Sequence, residues 1–174
     1  MPAYFKKISL ALIVTLLIGW GAWHTYQNQS APAVSFTTLS GEKIAMADLK
    51  GRVVLVHFWS INCLSCLKEM PALIDFYQRH HSQGFELIAI AMAYDPPAQV
   101  LHYASQKKLP FPVMHDGYGE MSAAFGQVNV TPSHFIYGKQ GQRLQSTIGP
   151  LNLNALAKLL SRELAKPDLI RKRN

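Results

Sequence analysis

Val53-Val54-Leu55-Val56-His57-Phe58-Trp59-Ser60-Ile61-Asn62-Cys63-Leu64-Ser65-Cys66 carries a continuous, largely apolar run straight into the only two cysteines of the chain. The run from Val53 to Trp59 reads as a buried central strand. A helical pattern begins at once behind it and is predicted to run from Cys63 to about His80, with Asn62 as N-cap and Pro71 as a kink. Two thiols three positions apart at a first helical turn can close into a small ring. Backbone N–H groups and the dipole at a helix start favour thiolate, the nucleophile of disulfide exchange. The pattern is that of a redox pair.

Outward from this stretch, Phe85 to Ala93 forms a second apolar run and thus a second buried strand. A helix opened by Pro96-Pro97 is predicted through Lys108, followed by a short strand at Phe111 to Met114 and a short helix at Gly119 to Phe125. His134 to Tyr137 and Arg143 to Ile148 read as a hairpin, and Asn152 or Asn154 caps a last helix that Pro167 stops. On the N-terminal side, Val34 to Leu39 reads as a strand that turns at Ser40-Gly41-Glu42 and returns over Ile44 to Leu49. The alternation predicts an α/β fold: a mixed central sheet with helices on both faces and an extra N-terminal β-hairpin.

The chain has 174 residues, 49% of them apolar, enough for one ordinary domain with a small attachment. Two cysteines are too few for a disulfide-stapled scaffold. The net charge of +7 lies partly at the ends, in Lys6-Lys7 and Arg171-Lys172-Arg173, and no nucleic-acid-reading motif accompanies it. Residues 8–26 are expected to form a transmembrane signal-anchor, with Lys6 and Lys7 before it and Trp20, Trp23 and Tyr26 at its far end. That order puts residues 1–7 in the cytoplasm as a basic N-terminus and exports the body of the protein. Residues 27–33 are then a linker, 34–166 the folded domain and 167–174 a basic tail. A cleaved signal peptide is the competing reading, with Ala31-Pro32-Ala33 as a small-x-small site set some distance beyond the apolar run.

A lone C-x-x-C also suits half a zinc site or two inert buried thiols. A structural zinc site takes four ligands, and the adjacent His80 and His81 lack the spacing of finger histidines. The second signal is Thr131-Pro132, directly before the His134–Tyr137 strand.

Phe58-Trp59-Ser60-Ile61-Asn62-Cys63-Leu64-Ser65-Cys66-Leu67-Lys68-Glu69-Met70-Pro71 resembles the active-site segment of the TlpA/ResA-like thioredoxins, membrane-tethered extracytoplasmic thiol-disulfide oxidoreductases of bacteria. Thr131-Pro132 is similar to the family's threonine and cis-proline, and Gly84 to Ala91 to its strand after the active-site helix. The resemblance covers about Val34 to Leu164 and implies a thioredoxin-like fold. It departs at Asn62, where the family has tryptophan, and at Ser65, where it usually has proline.

The resemblance implies roles. Cys63 is the exposed attacking thiol and Cys66 the buried resolving one; together they make the redox-active disulfide. Glu69 assists proton transfer. Trp59, Thr131 and a cis Pro132 line the substrate side, and Pro132 presents backbone to a substrate chain. No metal or other cofactor is implied. The expected partners are disulfide-containing proteins and a membrane thiol donor of the DsbD/CcdA type. The expected location is the inner membrane, single-pass, with the catalytic domain in the periplasm. An alternative of a different class is a thioredoxin-fold copper chaperone using Cys63, Cys66 and His134, although its cysteines are usually separated by three residues rather than two. Peroxidase chemistry is disfavoured because Ser60-Ile61-Asn62 supplies no threonine before Cys63.

Overall fold

The computed structural model describes residues 13–21 and 30–167. The chain divides into two compact units, residues 1–30 and residues 31–174. In the first unit, residues 13–21 are helical. No helix among the described residues is long and apolar enough to cross a membrane. Of the expected anchor over residues 8–26 only 13–21 are described, and the tail from 168 lies outside the described residues.

The second unit opens with the antiparallel hairpin β1 (Ser35–Thr37) and β2 (Lys43–Ala45), turning through Gly41 at φ 86°. The predicted return strand is shorter than expected, because residues Met46–Leu49 wind into a 3-10 turn that buries Met46 and Leu49. The main sheet holds β3 (Val53–Trp59), β4 (Phe85–Ala91), β5 (Val113–His115), β6 (Ser133–Tyr137) and β7 (Arg143–Ile148) in the order β5-β4-β3-β6-β7. β3, β4 and β5 run parallel, and β6 and β7 pair antiparallel to complete a mixed sheet.

The period of two sorts β3 onto two cores. Val53, Leu55 and Trp59 join a layer with Met70 and Leu73 of α1 (Leu64–His80), Val100 of α2 (Pro97–Gln106) and Leu156 and Leu160 of α4 (Leu153–Leu164). Val54, Val56 and Phe58 face the other layer, with Phe36 of the hairpin and Met121 of α3 (Glu120–Ala124). Helices thus cover both faces, as the alternation predicts. Every residue of β3 and β4 is buried, which is why those runs, His57 and Glu86 apart, are apolar rather than alternating. Gly84 closes the turn after α1 at φ 102°, a backbone conformation that disfavours side chains.

Candidate active site

β3 delivers the chain at its C-terminal end to a loop clamped from beneath. Asp95, 1% exposed, accepts the Ser60 hydroxyl at 2.7 Å and the Ile61 N–H at 3.1 Å. The Asn62 N–H turns back to Ser60 Oγ at 3.1 Å. Asn62 is therefore not the helix cap. Cys63 takes that position, with an extended backbone and its Sγ accepting the Cys66 N–H at 3.2 Å, so α1 starts one residue later than expected. The cap is a sulfur because the Asp95 clamp has already bent the chain back at Ser60 and Asn62.

Cys63 and Cys66 are joined in a disulfide with Cα atoms 5.2 Å apart. The two sulfurs are unequal: Cys63 is half-buried and Cys66 fully buried. The Ser65 hydroxyl lies 3.3 Å from Cys63 Sγ and, against a disulfide sulfur, must be the donor. Two donors therefore already point at the sulfur expected to carry charge. A cavity of about 380 Å³ opens beside the loop, lined by Ile61, Asn62, Gln99, His102 and Tyr103.

The Thr131–Pro132 bond is cis. It directly precedes Ser133, whose strand partner is Phe58, so it lies at the end of the sheet from which the chain runs on to Cys63. Pro132 is buried and its carbonyl accepts the Gly149 N–H at 2.8 Å. The half-buried residue at this edge is Thr131. Trp59 departs from the expectation. It is 0% exposed and packs against Tyr103 at 5.2 Å, so it supports the loop from inside the core and has no surface for a substrate.

Glu69 is carried inward by α1, with its side chain 7% exposed. Its Oε1 accepts the Leu151 N–H at 2.6 Å, and its Oε2 lies 3.3 Å from His134 Nε2. That approach is close enough for an ion pair or a shared proton, but is not aligned as a hydrogen bond. His134 is fully buried and pairs in register with His57 across β3 and β6. Their rings stack with centroids 4.8 Å apart. Burial, and then the charge of His134, hold the His57 imidazole well below its ordinary pKa. The acidic residue of the motif thus sits in a buried trio rather than at the solvent edge. His134 belongs to that trio, turned toward Glu69, while Cys63 and Cys66 are bonded to each other.

Two contributors escaped the sequence reading. His57 lay inside a run read as apolar; a titratable residue at the centre of a seven-residue buried strand was its signal. Ser65 was read only as a missing proline, and its hydroxyl was the signal.

The AhpC/TSA family model matches residues 28–142. The chain is 32% identical to the thiol-disulfide oxidoreductase ResA of Bacillus thuringiensis over 90% of this chain and 94% of the relative. It is 29% identical to sporulation thiol-disulfide oxidoreductase A of Bacillus subtilis over 87% of this chain and 94% of the relative. The solution structure of a thioredoxin candidate from Neisseria meningitidis superposes with a TM-score of 0.75 at 32% identity, covering 81% of this chain and 93% of that one. The crystal structure of StoA from Bacillus subtilis gives 0.62 at 28% identity, covering 73% and 98%.

Proposed function

We propose, for a chain that belongs to the AhpC/TSA family and within it to the TlpA/ResA-like thiol-disulfide oxidoreductases, that its task is the reduction of protein disulfides outside the cytoplasmic membrane. The observation that carries this reading is the asymmetry of the pair: a half-buried Cys63 at the helix start with two donors on its sulfur, and a fully buried Cys66 behind it.

The cycle follows from that asymmetry. The Cys63 thiolate attacks a substrate disulfide; a bond forms between Cys63 Sγ and one substrate sulfur, and the other leaves with the electron pair as a thiolate. Cys66, held within reach on the same helical turn, then attacks Cys63 Sγ and releases the second substrate sulfur. The substrate is reduced and the pair is left as the disulfide described above. A donor dithiol returns the pair to the dithiol state. The apolar stretch over residues 8–26, with lysines before it and aromatics at its far end, supports a tether that keeps the pair beside a membrane donor of the DsbD/CcdA type. A fixed position of this kind serves recharging at the membrane better than bulk oxidative folding.

Equilibration of the purified protein with a glutathione redox buffer tests the direction. A potential well to the reducing side of about −120 mV, the value of the strong oxidant DsbA, is expected, with the pair found reduced in growing cells and oxidised once the membrane donor is removed. A potential as high as that oxidant's, with the pair disulfide-bonded in cells, would overturn the reductant role. Fractionation tests the tether: the protein is expected with the membrane, and soluble protein starting near Val34 would show a cleaved signal.

A further inference from the structure

Three polar side chains meet beneath the active-site helix: His57 of β3, His134 of β6 and Glu69 of α1. Both histidines are 0% exposed, and neither nitrogen of His57 nor Nδ1 of His134 has a hydrogen-bond partner. Buried polar groups are nearly always paired, and an unpaired one costs about 1–3 kcal/mol. An apolar strand pair at the same register would avoid that cost. The nearest ligand atoms of the trio lie within 4.8 Å of one another, but the two rings are stacked at 18°. In-plane lone pairs on stacked rings run side by side instead of converging on one ion, so the trio is not built as a metal site.

What it can hold is a proton. Glu69 has one oxygen fixed by the Leu151 N–H and the other 3.3 Å from His134 Nε2, so one proton suffices to keep the pair neutral in the core. Glu69 also lies one helical turn beyond Cys66, on the same face. When the disulfide opens, Cys66 leaves as a thiolate in a site with 0% exposure, where an unpaired charge is costly. We propose that His134, stacked on His57, is a positioning residue that holds a proton at Glu69 for delivery to Cys66. This rests on the exchange cycle above.

The step balances. A donor thiolate forms a bond to Cys63 Sγ, and the Cys63–Cys66 bond breaks. Cys66 Sγ keeps the electron pair and takes the proton from Glu69, leaving the Glu69–His134 pair one proton short. The donor's second thiol ionises as it attacks the mixed disulfide, and a proton from solution refills the pair. In the opposite direction the pair first gives its proton to solution, and Cys66 then passes its own proton to the pair as it attacks Cys63. The titratable groups facing the pair are Cys66 from α1 and His57 from β3, which burial keeps neutral. Across β4 the partner of His57 is Ala89. The layer receives Leu156 and Leu160 from α4, whose buried acid Glu163 is engaged by Lys166 and Gln142.

The test is the rate at which dithiothreitol reduces the disulfide, measured against pH, for the wild type, His134→Gln, Glu69→Gln and the double variant. His134→Gln is expected to slow the reaction about tenfold and displace its pH profile, with no further loss when added to Glu69→Gln. Equal losses in both backgrounds, or an unmoved pH profile, would overturn the proposal. Should His134→Gln fail to fold, ¹⁵N histidine spectra of the wild type decide it: the His134 ring shifts must change between the disulfide and dithiol forms at one pH, and identical shifts overturn the proposal. Mixed-disulfide capture by Cys66→Ala separates the two readings. Capture with a silent His134 removes this inference alone, and a responsive His134 without capture removes the exchange cycle.

Discussion

Two buried glutamates in this domain lead opposite lives. Glu86, at the N-terminal end of β4, is saturated: its Oε1 takes the Tyr77 hydroxyl at 3.0 Å and the Leu87 N–H at 3.1 Å, and Arg52 and His81 each lie 3.6 Å from Oε2. Burial and the neighbouring Glu86 push the Tyr77 hydroxyl well above its ordinary pKa, so it stays a donor. Glu69 has one good hydrogen bond and an unaligned contact with a histidine that makes no hydrogen bond of its own and only stacks on His57. A saturated cluster can only hold its neighbours in place; an unsaturated one can still exchange a proton. The first reads as structure, the second as chemistry.

That contrast breaks or sharpens by experiment. The largest effect lies above the unsaturated cluster: Cys63→Ala should abolish disulfide reduction, and Cys66→Ala should accumulate mixed disulfides through Cys63, both visible on non-reducing gels after alkylation. Equal trapping in Cys63→Ala would reverse the two sulfurs' roles. Glu86→Ala comes next. It strands the Tyr77 hydroxyl and removes the carboxylate beside Arg52, so denaturant unfolding should show a loss of about 2 kcal/mol, while the folded protein exchanges disulfides at the wild-type rate. A reduced exchange rate in the folded fraction would erase the distinction between the two glutamates.

The third prediction concerns acid. The folded state holds His57 neutral, so as pH falls through about 6.5, the ordinary imidazole value, the unfolded chain takes up a proton that the folded chain refuses. Stability should therefore be full above that pH and fall below it, by up to about 1.4 kcal/mol per pH unit for one proton. His57→Asn should flatten the melting temperature between pH 7 and pH 5; an unchanged acid slope would place the sensitivity elsewhere. Smallest is Ser65→Ala. It removes one donor from Cys63 Sγ and should slow alkylation of the reduced Cys63 about threefold near neutral pH. A rate equal to the wild type's would make Ser65 only a filler of the turn.

The sheet was legible because its strands have sharp ends. Val53–Trp59 and Arg143–Ile148 match the expected bounds, one set off by Arg52 and the other by the turn at Gly141. The cysteine pair and the proline of the cis bond were legible as local motifs. The trio was not, because it exists only in register: His57 meets His134 through the antiparallel pairing of two strands 77 positions apart in the chain, and Glu69 arrives from a helix. Period-two reasoning assigns faces within a strand but does not say which residue lies opposite. Asn62 misled for a related reason. It is a good cap by type, but Asp95, from the loop after β4, holds Ser60 and Ile61, and the turn they set leaves Cys63 as the last extended residue before the helix.

The Asp95 clamp has a consequence in time rather than in space. By holding Ser60 and Ile61, it fixes the backbone from which Cys63 projects, while α1 fixes Cys66 three residues on. The resolving sulfur therefore stays at high effective molarity beside any mixed disulfide formed on Cys63, because little backbone freedom remains to carry it away. On the proposed cycle, a substrate joined to Cys63 is expected to be released quickly, before a wandering thiol elsewhere can capture it. The clamp acts as a clock on the covalent intermediate, and loosening it through Asp95→Ala should lengthen that intermediate's lifetime even where both sulfurs remain reactive.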